Sequence, residues 1–156
     1  MAAMKVLELR IPPLVLVALF ALVMWLLAQL VPPLALPAVW GLVLAGIFAG
    51  AGVAVAVSGV LAFRRANTTV DPRVPQQTSS LVARGIYRYS RNPMYLGFLL
   101  LLAALACYLM SAAALLLLPL FVLYMNRFQI APEECHLLHK FGAEYQAYTT
   151  QVRRWL

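Results

Sequence analysis

The chain has 156 residues, 64% of them hydrophobic and only 11% charged. This balance excludes a water-soluble domain of this size and points to one membrane domain over residues 1–156. The net charge of +7 does not indicate nucleic acid, because the basic residues flank apolar runs, as on the cytoplasmic side of membrane proteins.

Residues 1–10 form a short lead with Lys5, Glu8 and Arg10. Residues 11–31 are uncharged and, at ~1.5 Å per residue, long enough to cross ~30 Å of hydrocarbon. They are too long for the core of a signal peptide, and no small-residue cleavage pattern precedes Pro32 and Pro33. Pro32, Pro33 and Pro37 predict a stiff apolar turn. Residues 38–63 form a second span, in which Gly46 and Gly50 make a small-xxx-small pair suited to close helix packing. Residues 64–92 are the long polar connection; Pro72 and Pro75 prevent a continuous helix there. The sequon Asn67-Thr68-Thr69 would go unused in the cytoplasm. A third span is expected over 93–110, a turn near Ser111, and a fourth span over 112–130, kinked at Pro119. Pro132 is expected to end that span and start a helix over 132–152.

All twelve Lys and Arg fall before span 1, between spans 2 and 3, or from Arg127 onward. With four spans these segments share one side, and the positive-inside rule makes it the cytoplasm, with both termini inside. The fold class expected is all-α: four transmembrane helices with a cytoplasmic C-terminal helix completing a ligand site. Gln29, Ser58 and Asn126 are the main polar residues in the spans, each near a span end. No acid or base stands at mid-membrane, which argues against a transporter or proton relay. Cys107 and Cys135 form no disulfide or metal pattern and are expected to stay reduced.

Two stretches carry possible chemistry. The first, Arg84 to Gly97, packs three arginines, three tyrosines and an Asn-Pro pair into fourteen residues. Asn92 is placed to cap a helix whose first residue is Pro93. A helix N-terminus flanked by Arg88 and Arg91 suits a carboxylate or phosphate. The plain alternative is a cytoplasmic flank whose arginines only fix topology. The second stretch begins at Glu133 and Glu134, in the first turn of the last helix. Their plain role is to complement the helix dipole. At ~100° per residue, however, Leu138, Phe141, Tyr145, Tyr148 and Val152 share a face with Glu134, placing that acid on an aromatic stripe. His136 and His139 give one Glu-x-x-His spacing, too little for a metal centre.

The run LVARGIYRYSRNPMYLG, followed by PEECHLLHKFGAEYQAYTTQVRRWL, resembles the integral-membrane methyltransferases, among them isoprenylcysteine carboxyl methyltransferase and the phospholipid methyltransferases. The likeness covers about residues 68–156 and includes the preceding TTVDP, as in bacterial members. It implies S-adenosyl-L-methionine as cofactor, a lipophilic or lipid acceptor, and a bacterial or archaeal inner membrane. By motif, Ser79, Ser80, Leu81, Val82, Tyr87, Asn92, Pro93, Met94, Tyr95 and Glu133 would line the cofactor, with Arg88 or Arg91 on its carboxylate. Glu133 and Glu134 would stand at the reacting centre. The family often has His where this chain has Asn92. The isoprenylcysteine enzymes carry Arg four residues before the first acid; here that position is Gln129, and the nearest arginine, Arg127, is the remaining catalytic candidate. The alternatives are a small four-span transporter and a non-catalytic membrane subunit whose basic loop binds anionic lipid. The sequence leaves the acceptor and the oligomeric state open.

Overall fold

A computed structural model describes residues 9, 11–66 and 81–156. These residues are helical, with no strand among them. Helix α1 (Pro13–Leu30) starts at a proline in its first turn, where a missing N–H costs nothing. Helix α2 (Ala38–Arg65) is the longest unbroken α-helix, and Arg64 and Arg65 in its last turn suit the negative end of the dipole. A 3-10 turn (Gly85–Arg88) follows, entered through Gly85 at φ +62°. Helix α3 (Pro93–Tyr108) begins at Pro93 as the sequence predicts. Helix α4 (Ala112–Tyr124) is capped by Ser111, whose hydroxyl accepts from the Ala114 N–H, and it contains Pro119. A π-helical turn (Met125–Ile130) leads into α5 (Ala131–Phe141), and α6 (Ala143–Gln151) follows.

Among the described residues, three helices are long and apolar enough to cross a membrane: Pro13–Leu30, Ala38–Arg65 and the continuous Ala112–Phe141. The protein is an integral membrane protein by that measure. The expected third span is shorter than predicted: α3 holds 16 residues, about 24 Å of helix against ~30 Å of hydrocarbon. It is well buried, with Tyr95, Leu96, Gly97, Leu102, Ala104 and Ala106 all inside the bundle. Leu14, Leu22, Ile47, Val53, Leu116 and Leu123 on the outer helices are exposed, as a lipid-facing surface requires.

The expected break at Pro132 is absent. An interior proline leaves the carbonyl four residues back without its donor. Here that carbonyl belongs to Phe128, and it accepts from the Leu9 N–H at 3.1 Å. Gln129 adds a second tie, its Nε2 donating to the Ile11 carbonyl at 2.7 Å. The N-terminal lead thus satisfies the π turn, and the helix runs through. The expected single helix over 132–152 is instead divided at Gly142, whose φ of +51° ends α5. The stripe from Glu134 to Val152 needs one unbroken helix, so it does not form; Leu138 is 48% exposed.

The close helix contact also differs from expectation. Gly46 and Gly50 face open space. The packing uses Gly41, Gly52 and Gly59, which lie three and two helical turns apart on one face of α2. A Cβ on Gly52 would stand 2.9 Å from the Gly97 carbonyl oxygen, and one on Gly97 would stand 2.7 Å from that of Gly52. Gly41 meets Met110 and Gly59 meets Met94, which makes α2 and α3 antiparallel. Phe20 and Phe121 close the other side of the bundle, edge to face at 5.3 Å.

Gly97→Val should therefore force α2 and α3 apart and destabilise the fold by about 1–3 kcal/mol or more. Gly50→Ala should be neutral or stabilise by up to about 1 kcal/mol, since alanine is the better helix former in open space. Denaturant or thermal unfolding in detergent micelles measures both.

Candidate functional site

The two sequence stretches meet at one end of the bundle. Tyr87, in the 3-10 turn, is buried with its ring edge-on to Phe63 near the end of α2 at 5.3 Å. Its carbonyl accepts from the Tyr148 hydroxyl at 2.7 Å, which fixes the turn to α6. Burial first, then the nearby Glu133 carboxylate, pushes the Tyr87 phenol above its ordinary range. Burial also raises Tyr145, with Glu134 adding and Arg91 opposing, and it raises Tyr148 against Arg91. All three phenols therefore remain protonated donors. Tyr145, Tyr148 and Val152 form a small core with Leu81, Ala83, Leu137 and Phe141.

Glu133 and Glu134 are partly buried and have different partners. The Tyr95 hydroxyl, one turn into α3, donates to Glu133 Oε2 at 3.1 Å. Glu134 is held between two guanidiniums. Arg91 Nη2 lies 2.9 Å from Oε1. Arg154 donates from Nε to Oε1 at 3.2 Å and from Nη2 to Oε2 at 2.5 Å. That fork raises the Arg154 pKa, against the effect of burial. Adjacent acids on a helix face different ways, and here they serve different neighbours.

Asn92 flanks α3 without capping it through its side chain. Its N–H donates to Ser90 Oγ at 3.1 Å, and its Nδ2 donates to the Arg154 carbonyl at 3.0 Å. Arg91 donates its N–H to the Arg153 carbonyl at 3.0 Å and its Nη1 to the Thr149 carbonyl at 3.3 Å. A cleft of about 510 Å³ opens beside this cluster, lined by Arg91, Glu134, Cys135, Leu138, Tyr145 and Thr149 among others.

The structure thus brings together Tyr87, Arg91, Asn92, Tyr95, Glu133 and Glu134. Pro93 and Val82 are buried. Leu81 belongs to the tyrosine cluster. Met94 packs toward Gly59 of α2. Arg88 is exposed. Arg127 is also exposed, with its guanidinium over the Phe128 ring at 5.4 Å. Ser79 and Ser80, the TTVDP run and the sequon lie outside the described residues. Arg154 is the site residue that the sequence does not single out: a basic pair near a chain end reads as topology charge, and its fork on Glu134 depends on a turn that spacing does not reveal.

A family profile described as phospholipid methyltransferase matches residues 40–144, from α2 into α6. An uncharacterized protein of Haemophilus influenzae is 49% identical over 63 residues, which are 40% of this chain and the whole of that protein. No solved structure matches significantly. The profile covers over half of the chain, including both acids and the Arg84–Gly97 stretch that converges on them, and the chain belongs to the phospholipid methyltransferase family.

Proposed function

We propose that this protein transfers a methyl group from S-adenosyl-L-methionine to a lipid-like acceptor at the cytoplasmic face of the membrane. The observation that carries the reading is the meeting of the two motif segments through the Tyr95–Glu133 hydrogen bond, within the span matched by the family profile. The donor set fits the cofactor. Asn92 and Arg91 at the start of α3 suit its amino-acid end, the tyrosines suit adenine, and the Glu133 carboxylate suits its cationic centre. In this reading α3 is a fourth, buried span, and both termini are cytoplasmic. Supporting this, Arg64, Arg65, Arg88, Arg91 and Arg154 all stand at the bundle end that holds the acids.

When bound, the cofactor would supply an electrophilic methyl group, its sulfonium leaving as the neutral thioether as the acceptor bonds to the methyl carbon in line. The protein's work is to align the two partners and exclude water. Glu133, oriented by Tyr95, takes the proton that an amine or thiol acceptor must lose. A carboxylate acceptor would need no such base. Glu134 has three of its lone-pair directions taken by Arg91 and Arg154, so Glu133 is assigned the proton.

Calorimetry should show that purified protein binds S-adenosylhomocysteine, and labelled methyl should pass from S-adenosylmethionine into a total lipid extract. The absence of both would sink the reading. Glu133→Gln should lower kcat by about 10²-fold or more for an amine or thiol acceptor. Asn92→Ala should mainly raise KM for the methyl donor.

Sidedness has its own test. Cys135 is exposed at the end that bears the acids. In a Cys107→Ser background, an impermeant maleimide should label Cys135 in inside-out vesicles and not in intact cells. The reverse pattern would invert the topology.

A further inference from the structure

Arg154 joins the two halves of the candidate site. Its guanidinium forks onto Glu134 of α5, and its backbone carbonyl accepts from Asn92 Nδ2 at the start of α3. The residue before it, Arg153, offers its carbonyl to the Arg91 N–H. The residue after it, Trp155, donates its indole N–H to Asn126 Oδ1 at 3.0 Å and packs against the main core. Residues 152–156 are therefore a strap laid across the site, with its middle residue bonded to both segments.

An asparagine side chain presents either its NH2 or its oxygen to a ligand, depending on where the other end is bonded. At Asn92 the strap makes that choice: Nδ2 is committed to the Arg154 carbonyl. That leaves the amide oxygen as the end of the side chain able to accept from a ligand N–H or O–H. Arg153 and Trp155 hold the strap on either side of this carbonyl. The fork on Glu134 adds charge-assisted, directional bonds at Arg154 itself, which set how its peptide is turned toward Asn92.

We infer that Arg154 is a positioning residue for the methyl donor: through Glu134 it fixes its own carbonyl, and through that carbonyl it sets the orientation of the Asn92 amide. The inference rests on the cofactor reading above. It assigns Glu134 to the same path, as the anchor of Arg154.

The test is a kinetic cycle with S-adenosylmethionine, paired with S-adenosylhomocysteine binding and thermal unfolding of each variant. Arg154→Gln should raise KM for the donor about tenfold, with kcat within about twofold. Arg154→Lys keeps the charge and loses the fork, so its KM should fall between the two. Glu134→Gln should raise KM at least as much as Arg154→Gln, because it also frees Arg91, and the double variant should be no worse than Glu134→Gln alone, because Arg154 acts through Glu134. A wild-type KM in Arg154→Gln, or a double variant showing the product of the two single effects, would overturn the role. So would a loss of thermal stability with KM unchanged, which marks a purely structural strap. If Arg154→Gln does not fold, Arg154→Lys decides: a KM raised about threefold or more supports the role, and a wild-type KM overturns it. Wild-type protein that binds neither compound removes the cofactor reading and this role with it. Normal wild-type binding beside an unaffected Arg154→Gln removes the role alone.

Discussion

One carboxylate, Glu134, held between two guanidiniums, fixes three separate stretches of chain to each other. Arg91 comes from the segment before α3, Glu134 from α5, and Arg154 from the strap after α6. The side chains of Arg91 and Glu134 are 14% and 18% exposed, so both are largely withdrawn from water, whereas that of Arg154 is 37% exposed. Largely desolvated ion pairs add little net stability compared with apolar packing, yet losing one partner is costly because a charge is left alone. The clamp therefore acts chiefly by making other arrangements of these three stretches unfavourable. The cluster carries one net positive charge, from two guanidiniums and one carboxylate, at an end of the bundle already rich in arginine. With Glu134 so committed, Glu133 is the acid that takes the Tyr95 hydroxyl instead.

That geometry depends on the π turn. A turn with i→i+5 bonding adds one residue to the helix and rotates all that follows by about 100°. Without it, Glu133 would not face Tyr95 on α3, and Glu134 would not meet Arg91. The turn also widens the backbone just where Pro132 would clash with the preceding carbonyl. The Leu9 N–H then satisfies the Phe128 carbonyl that the ladder leaves without a donor, and the Gln129 side chain ties the turn to the Ile11 carbonyl. A residue near the N-terminus thus helps to aim the acids, a coupling between distant parts of the chain.

The apolar runs made the helices legible, and Asn92-Pro93 and Ser111 marked two boundaries because their chemistry is local. The continuous helix through Pro132 was not legible, because its compensation comes from Leu9, more than a hundred residues away. Gly46 and Gly50 drew attention by their spacing, but spacing does not say which face of a helix meets a neighbour; Gly41, Gly52 and Gly59 occupy that face. The aromatic stripe failed at Gly142, a residue that could continue a helix or end one, and whose positive φ depends on how α6 docks. Both acids were legible as candidates. Their division between Tyr95 and the arginine clamp was not, since it follows from the phase set by the π turn and from a strap that only tertiary structure closes.

The glycine contact between α2 and α3 gives the site its rigidity. Where backbones approach this closely, no side chain intervenes to adjust, and the depth of α3 is set by α2. The start of α3 is thereby fixed, and with it Asn92 and Tyr95, the two residues that face the strap and Glu133. α3 is well enclosed by the bundle, packed by α2 on one side and by α1 and α4 on others. Exposed apolar side chains cover the outer helices, while the helix that carries Asn92 and Tyr95 is shielded by them. In the proposed reaction a lipid acceptor would approach along the outer surface of the bundle without disturbing the groups that hold the donor, which is the separation that a reaction between a polar donor and an apolar acceptor requires.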